Sequence, residues 1–107
     1  MSVDINISTP PTASITVVSP NGGENWQRGK TKTIRWTFSG TPGSNVTIDL
    51  LYNGAYFSTI AASTANSGSY NWKIPSSQTR GNYYKIRVAS YSTPAINDTS
   101  NNYFRIS

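Results

Sequence analysis

The side chains able to move a proton or attack a substrate are few in this chain of 107 residues. It has no histidine and no cysteine, and its carboxylates are Asp4, Glu24, Asp49 and Asp98. Hydrolytic chemistry near neutral pH rests on a group that titrates there, or on two carboxyl groups held together. The acids here are spread along the sequence, so an acid/base pair would need Glu24 to meet Asp98 in space. Serine and lysine are present, yet no Ser–Lys motif of a nucleophilic enzyme can be recognised. The residue types therefore predict a protein that is not an enzyme and that needs neither cofactor nor metal. What they do offer is contact chemistry: three Trp, seven Tyr and three Phe with nine Lys and Arg, in a background of Ser, Thr and Asn.

Contact chemistry needs a rigid surface, and the sequence supplies strands to build one. Residues 1–13 read as a tail or linker, because Pro10 and Pro11 in a Ser/Thr setting favour solvated, extended backbone. From 14 to 107, short alternating runs recur between turn residues, and no segment has a helical period. The predicted strands are Ile15–Val18, Thr31–Phe38, Val46–Tyr52, Tyr56–Ala62, Ser69–Ile74, Tyr83–Ser90 and Asn102–Ile106. Asn53-Gly54 marks a tight hairpin, since both residues accept a type I′ turn. Seven strands of this kind predict an all-β fold, a two-sheet antiparallel sandwich with immunoglobulin-like order. Ile34, Trp36 and Phe38 share an inward face, as do Tyr70, Trp72 and Ile74. Trp36 and Trp72 are expected to meet at the centre, each removing roughly 150–250 Å² from water. At about 25 cal/mol per Å², that is several kcal/mol apiece.

Immunoglobulin order makes the third, sixth and seventh of these strands neighbours in one sheet. Their outward residues are Thr47, Asp49 and Leu51, then Tyr83, Lys85 and Arg87, then Tyr103 and Arg105. Asp49, Tyr83, Lys85, Arg87, Tyr103 and Arg105 form the candidate ligand face. Aromatic rings accept the apolar faces of sugars, and guanidinium groups grip uronate or sulfate. The plainer reading of the same residues is cross-strand pairing, with Asp49 neutralised by Lys85 or Arg87. A second location is the loop aromatics Tyr52, Tyr56, Phe57 and Tyr91. Asn97, Asp98, Asn101 and Asn102 could offer oxygens to calcium, but only one is charged and Asx-turn chemistry accounts for them. The sequons at Asn6, Asn45 and Asn97 are about what so much Asn, Ser and Thr produces by chance.

Composition bounds the setting. Only 12% of residues are charged, with a net charge of +5, against about 25% charged in average soluble domains. Neutral polar residues carry solubility, as suits an extracellular or cell-surface protein. The cations are dispersed, without the runs or basic helix of a nucleic-acid binder, and no stretch is suited to membrane insertion. Met1 ahead of a polar stretch reads as a start codon placed on a domain from a longer protein. The lack of a leader then says nothing about location.

Three strings are distinctive: Ser19-Pro20-Asn21-Gly22-Gly23-Glu24 followed by Trp26, Gly29 and Ile34-Arg35-Trp36; Gly68-Ser69-Tyr70-Asn71-Trp72-Lys73-Ile74-Pro75; and Tyr84-Lys85-Ile86-Arg87-Val88. With the closing run Asp98 to Phe104-Arg105-Ile106, they resemble the Ser/Thr-rich GPI-anchored membrane family, which includes yeast proteins of cell-wall β-1,6-glucan assembly. Similar modules occur in secreted and surface proteins of bacteria and archaea. The resemblance spans Ile15 to Ile106 and implies an immunoglobulin-like sandwich in an extracellular protein, often near the cell wall. It brings no catalytic or ligand-contacting residues. In the Asn-Gly-Gly-Glu-x-Trp string the glycines are expected to make a corner and Trp26 to plug one end of the sandwich. The resulting expectation is a non-catalytic module that attaches to polysaccharide or cell-wall glycan beside the neighbouring domains of its parent. The competing expectation is a spacer with no ligand of its own.

Overall fold

Where apolar and polar residues alternate, the chain is extended. The computed structural model describes residues 13–107. The tail assigned to 1–13, with Asp4 and the sequon at Asn6, lies outside the described residues except for Ala13. The strands are β1 (Ser14–Ser19), β2 (Asn25–Trp26), β3 (Thr31–Ser39), β4 (Asn45–Tyr52), β5 (Ala55–Ala65), β6 (Ser69–Lys73), β7 (Gly81–Ser90), β8 (Asn97–Thr99) and β9 (Phe104–Ile106). All seven expected strands are present, and β2 and β8 are two short additions.

The strands form two sheets. One has the order β1-β3-β6, and the other β2-β9-β7-β4-β5, with β8 also on β7. Every pairing is antiparallel except that of β2 with β9. β8 and β9 lie end to end along β7: Asn97–Thr99 pair with Ala89–Arg87, and Phe104 and Ile106 pair with Tyr84 and Gly81. Ser100 bridges the gap. Its N–H donates to the Ile86 carbonyl at 2.9 Å. Its hydroxyl accepts the Ile86 N–H at 3.0 Å and donates to the Pro20 carbonyl at 2.6 Å. The backbone groups of β7 therefore stay satisfied where the partner strand breaks.

The core is the set of inward residues from both sheets, among them Ile15, Val17, Ile34 and Trp36 facing Ile48, Leu50, Ile86 and Val88. Trp36 and Trp72 are both buried, but they do not meet. β3 and β6 pair Lys32 with Trp72, four residues from Trp36, a separation of roughly 13 Å along the strand. Trp72 instead packs on Trp26, with centroids 6.4 Å apart, and Trp26 packs on Phe104 at 5.4 Å. Trp26 thus fills an end of the sandwich, as its place after the glycine corner predicted. The Trp36 indole N–H donates to Asn66 Oδ1 at 2.8 Å. Phe38 departs from its expected inward position and is 45% exposed. The last three residues of β3 are all exposed, so the strand runs past the opposing sheet.

Two local devices set the ends of the larger sheet. Asn53 and Gly54 have φ of 53° and 84°, and Tyr52 pairs with Ala55 across them. This is the left-handed pair that a type I′ hairpin demands. At the entry to β7, the buried Tyr84 donates its hydroxyl to the Thr79 carbonyl at 2.6 Å and accepts Gln78 Nε2 at 3.1 Å. A tyrosine at this point, bonded back to the chain just upstream, is the tyrosine corner of immunoglobulin-like domains.

Candidate binding face

β4, β7 and β9 are neighbours in the larger sheet, so the six candidate residues share its outer side. Within that side they fall into separate groups. Asp49 and Arg87 are opposite each other in register, and Arg87 Nη2 donates to Asp49 Oδ2 at 2.9 Å. Thr59 of β5 donates to Asp49 Oδ1 at 3.2 Å, and its Oγ1 lies 2.8 Å from the Tyr56 hydroxyl. The Asp49 side chain is only 11% exposed, and that of Arg87 37%. Both carboxylate oxygens are thus engaged within the protein, which is the cross-strand pairing reading. The pair lines a groove of about 420 Å³ together with Thr47, Ala89, Pro94 and Asn97. Leu51, expected outward and solvated, is buried, flanked in register by Tyr56 on β5 and Lys85 on β7.

Tyr83 and Tyr103 do come together. They are 49% and 38% exposed, and their rings lie 5.3 Å apart at 76°. Lys85 Nζ stands 4.8 Å from the Tyr103 centroid, within cation–π range. The pair is anchored to the core. Tyr83 meets Tyr52 edge-on at 6.1 Å, and Tyr52 meets buried Tyr84 at 4.9 Å. Tyr52 can lie there because residue 81 is glycine: a Cβ at Gly81 would stand 2.5 Å from Tyr52 Cε1. Arg105, between buried Phe104 and Ile106, is exposed on the same side as Tyr103. The arrangement gives a rigid aromatic corner with adjacent cations rather than a flat platform.

The other sequence-level sites have structural partners. Glu24 accepts the N–H groups of Asn21 and Gly22 at 2.9 and 2.8 Å, closing its own turn. Asp98 accepts the Val17 N–H at 2.8 Å and so ties β8 to β1 of the opposite sheet. No hydrogen bond joins these two acids, and the acid/base pair is not formed. Asn97 Nδ2 donates to the Pro94 and Ala95 carbonyls, and the Asn101 N–H donates to Asn21 Oδ1 across the sandwich end; these are structural bonds, though not the Asx turns expected. Among the loop aromatics, Phe57 packs on Tyr52 at 6.4 Å and on Tyr84 at 5.9 Å, while Tyr91 is exposed. Two parts of the surface were not singled out from sequence: the Tyr56–Thr59 link to Asp49, and the Arg28 and Arg80 side chains beside Arg105. Arg28 sits in a turn and Arg80 in the loop before β7, where strand alternation gives no direction.

A three-stranded and a larger antiparallel sheet, with a tyrosine corner and a parallel β2–β9 contact, define an immunoglobulin-like β-sandwich. Residues 19–105 match the family model described as the Kre9/KNH-like N-terminal Ig-like domain, and the chain belongs to that family. The family is one of cell-wall and cell-surface proteins, so the domain's setting is extracellular or at the cell surface. It is an accessory module of the type found in secreted and surface proteins, and the described residues hold no cluster of three or more metal-binding side chains. No curated protein matches the chain. Among solved structures, an engineered protein matches with a TM-score of 0.57 and 19% identity over 92% of this chain. The chain spans only 21% of that protein's length, and the match shows the fold alone. The fibronectin(III)-like modules of Clostridium thermocellum CbhA match with a TM-score of 0.47 and 20% identity, over 86% of this chain and 91% of theirs.

Proposed function

We propose that this domain is a non-catalytic attachment module of a larger secreted or surface protein, with polysaccharide or cell-wall glycan as its ligand. The observation that carries the reading is the Tyr83–Tyr103 pair, exposed yet braced on the core through Tyr52 and Tyr84. A large aromatic left in water costs free energy that burial would recover. Two of them held rigidly side by side are what a sugar ring needs for stacking. Because the rings meet at 76° and Lys85 stands over Tyr103, one sugar stacks on one ring and abuts the edge of the other. Lys85 and Arg105 then reach hydroxyl or acidic substituents, while Arg87 and Asp49 brace each other. The assignment of residues 1–13 as linker and 14–107 as the sandwich belongs to the same reading, as does the absence of catalysis.

Retention in gels cast with a panel of soluble polysaccharides tests it. Wild-type protein is expected to be slowed by at least one polymer, and the Tyr83→Ala/Tyr103→Ala variant to run as in a blank gel. Wild type running unretarded in every gel would instead support the second reading, a spacer that positions neighbouring domains, and equal retardation of wild type and variant would place the ligand away from the tyrosine pair.

A further inference from the structure

Three arginines converge where β2, β7 and β9 end. Arg28 follows β2, and its N–H donates to the Ser107 carbonyl at 2.9 Å beyond β9. Arg105 lies in β9 opposite Asn25 of β2. Arg80 directly precedes Gly81, which pairs with Ile106. The pairing of β9 with both β2 and β7 is therefore what brings the three together. With Gln27, Ser76 and Ser107 they line a depression of about 510 Å³.

None of the three has an acidic side-chain partner among the described residues. The one ion pair among the described residues is Arg87 with Asp49. The other two described acidic side chains are committed to backbone N–H groups, Glu24 in its own turn and Asp98 on β1. Arg28 is half-buried and is held by a long hydrogen bond from Nη1 to the Gln78 carbonyl, 3.4 Å. Like charges gathered with no acidic side chain among them repel one another, and an anion seated between them relieves that repulsion. A planar carboxylate is satisfied by a single guanidinium fork. Three arginines bordering one depression from separate segments, with Ser76 in the same lining, offer more donors than a carboxylate can use and suit oxygens spread around a tetrahedral centre.

We infer that Arg28, Arg80 and Arg105 form a binding site for a tetrahedral oxyanion, a sulfate or phosphate group. The site goes beyond the tyrosine pair and has its own chemistry, although Arg105 borders both. The group is carried on a polymer or is a free ion, and the test separates these sources.

Inorganic sulfate titrated into the 107-residue protein, followed by amide shifts of Arg28 and Gly29, should saturate. Arg28→Gln/Arg80→Gln should weaken that binding by at least about tenfold, since charge-assisted contacts are lost. Lys32→Gln/Arg35→Gln removes the same charge from β3 and should change it less than about twofold, because neither residue borders the depression. Retention by dextran sulfate but not by neutral dextran assigns the group to a polymer. Saturation by inorganic sulfate without such retention assigns it to the free ion. Unsaturable shifts, or equal weakening by the two double variants, would overturn the site. Tyr83→Ala/Tyr103→Ala should leave the sulfate titration intact, so this site and the sugar-stacking corner fail separately.

Discussion

Ser100→Ala removes one oxygen atom from the place where β8 gives way to β9. The hydroxyl accepts the Ile86 N–H at 3.0 Å and donates to the Pro20 carbonyl at 2.6 Å. Ser100 is 2% exposed, and Ile86 and Pro20 are buried too. The substitution leaves little empty volume, so the loss is that of two buried groups without partners. An unsatisfied buried donor or acceptor costs about 1–3 kcal/mol. The Ser100 N–H still reaches Ile86, so the backbone stays in place and the total should be about 2–3 kcal/mol. That is a large share of the roughly 5–15 kcal/mol that holds a domain folded. For a domain of this size it lowers Tm by roughly 8–20 °C. Urea and thermal melts followed by tryptophan fluorescence would measure it, with the urea m-value unchanged. A Ser100→Ala protein melting within a degree or two of wild type would refute the argument, because it would mean that β7 does not depend on this bridge.

Two further substitutions probe the frame. Trp36→Ala removes a buried indole and its bond to Asn66, which should cost about 3–5 kcal/mol, leaving the domain largely unfolded at 37 °C by circular dichroism. Trp36→Phe should recover part of this. Tyr84→Phe keeps the ring but loses the bonds to Thr79 and Gln78. Thr79 is exposed and its carbonyl can be rehydrated, so the expected loss is about 1 kcal/mol, seen as a lower urea midpoint.

The strands of the sandwich were legible because alternation reports which face is buried, and it placed Ile34, Trp36, Trp72 and Ile74 in the core correctly. β2 and β8 were not, since two or three residues cannot display a period. They exist through the backbone partners that the folded chain brings to them. Register was equally hidden. Nothing in the alternation of β3 and β6 reveals that Lys32, rather than Trp36, lies across from Trp72. Phe38 kept its phase but overran the opposing sheet. On the candidate face, immunoglobulin order gave the right neighbours, and Asp49 took one of its two expected partners. Leu51 could not be read as buried, because residues on adjacent strands cover it. The angle between Tyr83 and Tyr103 depends on Tyr52, which in turn depends on the space left by Gly81.

β5 carries a consequence of its own. Its eleven residues contain no charge and no proline, and within the described residues it pairs only with β4. A long uncharged border strand is a template for edge-to-edge polymerisation. Its pairing with β4 is broken by three register shifts, between Val46 and Ile48, Ile48 and Asp49, and Leu50 and Leu51. Such bulges bend and twist a strand, so its free amides and carbonyls do not line up to receive another copy. Irregularity in this strand is thus what guards a border without charges against pairing with a second copy.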